Sequence, residues 1–180
     1  QLSRHHIEAL GPLLSLMSSD AISGLSLEGV SGLSPEVLML RDSRGAHIIN
    51  HLSQYQLQHV EPAIIAKLYL AFLRSPLVPT TVSVLASLTY LQLSALSTST
   101  ISRLSLSDLQ QDSVLSPGGQ TISVLQALPW SSLTAIRNSV VRSLSAADLA
   151  LTNLQEQALG LAGHTVLAGL STDQIAQLSL

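Results

Sequence analysis

Leu88-Thr89-Tyr90-Leu91-Gln92-Leu93, Leu96-Ser97-Thr98-Ser99-Thr100-Ile101 and Leu104-Ser105-Leu106-Ser107-Asp108-Leu109 follow one another at eight-residue intervals. In each, an aliphatic residue precedes Ser or Thr, and a second aliphatic lies five positions after the first. That spacing has a mechanism. With Ser or Thr as N-cap, the residue before it and the later aliphatic are the two ends of a hydrophobic staple. The hydroxyl accepts from an orphan amide of the first turn, while the staple fixes how the chain enters the helix. The stretch therefore predicts short helices that carry their own start signals.

Working outward, the same unit occurs at Leu2-Ser3…Ile7, Met17-Ser18…Ile22, Leu25-Ser26…Val30, Leu33-Ser34…Leu38 and Leu52-Ser53…Leu57. It returns at Leu144-Ser145…Leu149 and Leu170-Ser171…Ile175, and Leu128-Pro129…Leu133 keeps the staple with Pro in the cap position. In most copies a further aliphatic three residues on (Leu10, Leu25, Leu33, Val60, Leu96, Leu104, Ile136 or Leu178) extends the apolar face of the helix. Gln56, Asp108, Asp148 and Gln174 stand at the third helical position, where they complete capping boxes.

Longer helices are expected from Glu61-Pro62 through Leu73, from about Trp130 to Ser143, and from Thr152-Asn153 to Gly163. The apolar, β-branched run Thr81–Leu88 is compatible with a strand, but Pro79-Thr80-Thr81 reads better as a helix start. Ser75–Pro79 and Ser116-Pro117-Gly118-Gly119 are breaks, too short to serve as linkers. The expected fold is all-α: residues 1–180 form one array, an irregular superhelix (solenoid) of short capped helices, armadillo- or HEAT-like. Unit spacing is irregular, clustering near eight and again near the mid-twenties, and the closing Leu178-Ser179-Leu180 reads as a further unit begun, so a slice of a longer array is expected. Leucine-rich repeats are excluded because no L-x-x-L-x-L strand is followed by the Asn or Cys they need, and coiled coils by eight-residue re-initiation.

Gly169-Leu170-Ser171-Thr172-Asp173-Gln174-Ile175 and Ile7-Glu8-Ala9-Leu10-Gly11-Pro12-Leu13 resemble the degenerate helices of the mesothelin, stereocilin and otoancorin family. The resemblance implies an all-helical superhelix on extracellular or cell-surface proteins of adhesion and matrix attachment. Relatives of that kind are commonly lipid-anchored and carry cysteines, and the family offers no catalytic residues to carry over. This chain has no cysteine, which excludes disulfides and thiolate metal sites.

Composition narrows the function classes. The net charge is −3, and the cations are one lysine, Lys67, and scattered arginines (Arg4, Arg41, Arg44, Arg74, Arg103, Arg137, Arg142). A nucleic-acid surface needs clustered cations, so no nucleic-acid partner is expected. No apolar run reaches the ~18 residues of a membrane helix, and no signal-peptide pattern opens the chain.

Few residues suggest chemistry. His47 and His51 are four apart and could share a metal with Glu61 or Glu8, with His5, His6 and His59 nearby in sequence, but no Glu follows His47 as zincins require. Their alternative role is the polar face of a helix. His164 stands isolated after Gly163, and Trp130 reads as core or as a binding anchor. Serines lack a Gly-x-Ser-x-Gly elbow or Ser-x-x-Lys pair; Gly29-Val30-Ser31-Gly32 fails the spacing. Asp108 and Asp112 read as capping and solvation, and Ser116–Gln120 as a turn.

No catalytic, cofactor-binding or metal residues are therefore expected, and no cofactor. The leading expectation is a non-enzymatic structural or adhesive module, secreted or at the cell surface, that binds protein partners or copies of itself. The alternative is an intracellular helical-repeat scaffold that binds peptides in a groove. A third class is an enzyme.

Overall fold

At Ser18, Ser26, Ser34, Ser53, Thr89, Ser97, Ser105, Ser145 and Ser171 an extended residue precedes a turn of helix, and its hydroxyl accepts from the third helical amide. These are the start signals read from the sequence. The computed structural model describes residues 4–78, 80–115, 121–153 and 163–178. Within them the chain is mostly helical, every helix is short, and the residues divide into two units, Gln1–Leu88 and Thr89–Leu180. Ser3 lies outside the described residues, although the helix it would cap runs over Arg4–Leu10 with Ile7 buried.

The staples form the core. At the inner end, Ile22, Val30, Leu38, Leu57, Ile65, Leu73, Leu93, Ile101, Leu109, Leu133 and Val141 are at most 1% exposed. The preceding staple residues Leu33, Leu52, Val60, Leu88, Leu104, Leu128 and Ile136 are buried as well. The staple outranks the cap. Helices Pro62–Ile65, Leu70–Leu73, Trp130–Leu133 and Asn138–Val141 begin after Glu61, Tyr69, Pro129 and Arg137, none of which makes a side-chain cap bond.

Those four helices correct the sequence reading, which joined them into two long ones. Tyr69 and Arg137 are extended, with ψ near 150° and 142°, so the i→i−4 ladder stops and restarts there. Leu68 and Ile136 are drawn into the core as the first staple residues of the second helix in each pair. The stretch after Thr81 also differs. Ser83, not Thr80 or Thr81, starts the next turn; it accepts from Ala86 N–H at 3.1 Å, and a 3₁₀ turn covers Leu85–Ser87. The third expected helix falls largely on residues 154–162, outside the described set.

The spacing, irregular in sequence, becomes regular once backbone pairing is included. Helix starts come in threes, eight residues apart: 18, 26, 34; then 53, 61, 69; then 89, 97, 105; then 129, 137, 145. Seven residues after the last start of each triplet, the chain pairs with a later residue: Arg41 with His47, Pro76 with Ser83, Asp112 with Ser123, and Thr152 with Thr165. Each closing residue begins a connecting turn, and six residues later the next triplet starts at 53, 89, 129 or 171. One backbone bond recurs at every closure: Ile48 N–H to Leu40 O, Val84 to Ser75, Val124 to Gln111 and Val166 to Leu151, at 2.8–3.0 Å. Only the hairpin varies in length. The third is long enough to form a two-stranded antiparallel pair, Asp112–Leu115 with Thr121–Ser123, which the sequence reading did not foresee.

Buried glutamines join successive triplets within a unit. Gln56 Oε1 closes its capping box by accepting from Ser53 N–H at 2.8 Å, and its Nε2 donates to Ser23 O and Leu25 O at 2.9 and 2.8 Å. Gln174 does the same at the other end of the chain. It accepts from Ser171 N–H and donates toward Leu133 O and Ile136 O at 3.2 and 2.7 Å. In both cases the acceptors are carbonyls at or just past the C-terminus of the first helix of the preceding triplet, where a short helix leaves carbonyl oxygens short of partners.

The caps make a modest, measurable contribution. Ser145→Ala removes the acceptor of Asp148 N–H, 3.1 Å away, and should cost about 1 kcal/mol. Ser139→Ala, at an exposed site inside a helix with no cap role, should be silent in the same thermal melt.

Candidate functional site

The histidine pair resolves into two separate environments. His47 is extended at the head of a connecting turn, and its Nδ1 donates to Met39 O at 2.8 Å while its ring meets Phe72 edge-on at 4.5 Å. His51, 5% exposed, closes the same turn and faces a different set of groups. Its Nε2 is 2.9 Å from Asp42 Oδ2, and its Nδ1 is 2.8 Å from Ser19 Oγ. Both nitrogens of His51 are thus committed. His59 donates to Tyr55 O, and His5, His6 and Glu61 are exposed. The Glu8 side chain lies outside the described residues, and among those described no group of three His, Asp or Glu side chains is arranged to hold a metal.

Three elements build the Ser19–His51–Asp42 cluster. Asp42 opens the first hairpin, where Gly45 N–H bonds back to Asp42 O at 3.0 Å and Gly45 takes φ +83°, a conformation that costs glycine little. That turn aims the Arg44 and Ala46 amides at Asp42 Oδ1, 2.8 and 2.9 Å away, leaving Oδ2 for His51. Ser19 is the first residue of helix Ser19–Ser23, just past the capping Ser18. Burial pushes the Asp42 carboxyl up, but the Arg44 and Ala46 amides and the His51 ring outweigh it, and the group lies below its ordinary value.

A carboxyl with a depressed folded-state pKa supports folding above its unfolded value, and that support is lost as pH falls through the folded value. Acid titration should therefore weaken the Gln1–Leu88 unit below about pH 4, the range of an unperturbed Asp. Asp42→Asn should be less stable at neutral pH and show a shallower loss on acidification; circular dichroism at a series of pH values checks both.

The other candidates are structural by geometry. Asp108 Oδ2 accepts from Ser105 N–H and Oγ, both at 2.7 Å, completing a capping box, while Asp112 is exposed at the base of the third hairpin. Ser31 Oγ donates to Glu28 O. Trp130 is half-buried at a helix start, with the exposed His164 edge-on at 5.1 Å. A cleft of about 460 Å³ lies beside the third hairpin in the second unit, lined by Gln110, Asp112, Thr121, Gln126, Asp148 and Leu151 among others. Gln110 Nε2 donates to Asp148 Oδ2 across it at 3.1 Å. Gln120 and its neighbours 116–119 lie outside the described residues.

Sequence reasoning missed both Ser19 and Asp42. Ser19 follows a better cap, Ser18, and is redundant as a start signal. Asp42 stands in a five-residue loop whose closure depends on backbone pairing. The one legible hint was Asp-Ser-Arg-Gly, a turn sequence that places an acid nine residues before a histidine.

Set against known proteins, the chain matches no family model, no curated protein and no solved structure.

Proposed function

We propose that this chain is a structural or adhesive binding module, a solenoid-like array that presents its hairpins to protein partners. The observation that carries the reading is the contrast between an invariant framework and a variable hairpin. Helix starts, closures and connecting turns keep their spacing through four recurrences, and only the loops between Arg41 and His47, Pro76 and Ser83, Asp112 and Ser123, and Thr152 and Thr165 change length. In repeat proteins, insertions gather in loops on the binding face. The cell-surface or matrix setting rests on the resemblance to mesothelin-like proteins. Exposed apolar side chains such as Leu91 and Ile175, 62% and 40% exposed, offer surface for self-association.

The test is binding to immobilised matrix and cell-surface proteins by residues 1–180, with the three longer hairpins in turn replaced by the five-residue Asp42–Ala46 loop and that first loop altered at Ser43 and Arg44. Loss of binding on replacing a loop, with the melt unchanged, supports the reading; binding indifferent to every loop would defeat it. Light scattering should show association that Ile175→Lys weakens. A peptide-binding scaffold is the second reading. It rests on the cleft beside the third hairpin, whose Gln110 and Gln126 amides could pair with an extended backbone.

A further inference from the structure

We propose that Ser19 is an activated hydroxyl, an acyl acceptor whose proton is taken by His51 and whose base is oriented by Asp42. The inference is independent of what the hairpins bind. It rests on connectivity: hydroxyl to imidazole at 2.8 Å, imidazole to carboxylate at 2.9 Å, carboxylate to two backbone amides at 2.8 and 2.9 Å. A nucleophile, a base within hydrogen-bond reach and a third group that orients the base are the marks of nucleophilic catalysis, recognised by geometry and not by sequence order.

The proton positions follow from the partners. Asp42 Oδ1 is saturated by amides, and a carboxylate in that position can only accept at Oδ2. The neutral His51 ring therefore carries its hydrogen on Nε2, facing Asp42, and its lone pair on Nδ1, facing Ser19. Ser19 accordingly donates its O–H to Nδ1. Relative to the familiar serine triad the two ring nitrogens have exchanged roles. Either imidazole nitrogen can serve as base when the other is held as a donor. Burial separates the three by task. The His51 and Asp42 side chains are 4% and 3% exposed, so the base and its support are shielded from water. Ser19 is only half-buried and open to a small electrophile from solvent. It also differs from the capping serines around it: Ser18 Oγ accepts from Ala21 N–H, and Ser26 Oγ from Gly29 N–H, whereas Ser19 Oγ is directed at a base.

With an activated acetyl ester the step balances as follows. Ser19 Oγ bonds to the carbonyl carbon as its proton passes to His51 Nδ1, the bond to the leaving phenolate breaks, and the imidazolium returns its proton to solvent. The product is O-acetyl-Ser19 and one free phenolate.

The chain 1–180 is treated with p-nitrophenyl acetate at neutral pH, and the acetylated peptides are mapped by mass spectrometry. Acetylation of Ser19 well ahead of Ser18 and Ser26 is expected, with Ser19→Ala removing the burst of phenolate. His51→Gln should slow Ser19 acetylation by about 10²–10⁴-fold, the usual contribution of a positioned base. Because that variant can also loosen the fold, the Ser19-to-Ser18 ratio within the unaltered chain is the deciding measurement. Acetylation spread evenly over exposed serines, or confined to Lys67 and the N-terminal amine, would overturn the assignment and leave the cluster as a structural tie.

Discussion

Leu104→Ala should destabilise the Thr89–Leu180 unit by about 2–5 kcal/mol, the range for truncating a fully buried leucine. Leu104 is 0% exposed, and its position explains the size of the effect. It lies seven residues after Ser97, on the apolar face of helix Thr98–Ile101, and immediately precedes Ser105, the cap of helix Leu106–Leu109. One side chain therefore ends one helix's apolar stripe and anchors the entry to the next. Its removal leaves a cavity between two turns, each too short to hold its own shape. Leu91, 62% exposed at the second position of helix Tyr90–Ser94, is the internal control. Leu91→Ala should change stability by no more than about 0.5 kcal/mol. Equal losses for the two leucines in urea denaturation would remove the staple from the explanation of this fold.

Gln174→Ala should cost about 3 kcal/mol, the upper end of what stranded buried polar groups cost. Gln174 is 2% exposed and serves two helices at once. Its Oε1 accepts from Ser171 N–H at 2.8 Å, while its Nε2 faces Leu133 O, Thr134 O and Ile136 O at 3.2, 3.4 and 2.7 Å. Alanine would take away the acceptor of Ser171 N–H and the donor to the buried Ile136 O, while Leu133 O keeps its bond from Ile136 N–H. Gln174→Glu makes a sharper test. It keeps the acceptor for Ser171 but aims a carboxylate at carbonyl oxygens, so its folded-state pKa should be raised. A raised carboxyl pKa costs stability above the unfolded value and restores it on acidification. The Glu variant should thus gain ground relative to the Ala variant as pH falls toward 4 in paired denaturation curves. A Glu variant as stable as the parent at neutral pH would mean that the amide donors contribute nothing.

What could be read from the residues alone was local. Leu96-Ser97…Ile101 specifies a helix start because cap and staple lie within six positions, and the chain places it where the pattern does. Gln56 and Gln174 were legible as capping boxes for the same reason. The carbonyls that accept from their Nε2 groups were not, because Leu25 and Ile136 lie 31 and 38 residues away and no local rule connects them. The run from Glu61 to Leu73 misled because Tyr69 has no capping chemistry; burial of Leu68 and Leu73 decides the break, and burial is a tertiary fact. The regular spacing stayed hidden because the hairpins lengthen along the chain, so equivalent starts drift apart. The Ser19–His51–Asp42 cluster was out of reach for the same reason as those carbonyls: its members are joined by packing across 9 and 32 positions.

The hairpins also determine how such a chain can change over generations. Adding one residue inside a triplet would turn every following aliphatic by about 100° around its helix, swinging buried leucines toward water. Adding one between Asp112 and Ser123 disturbs nothing beyond the loop, since the closing bond from Val124 N–H to Gln111 O resets the register. Insertions and deletions should accordingly be purged from the triplets and accumulate at the four hairpins. The same property makes the loops natural grafting sites, where a foreign peptide can be displayed without redesigning the helices that carry it.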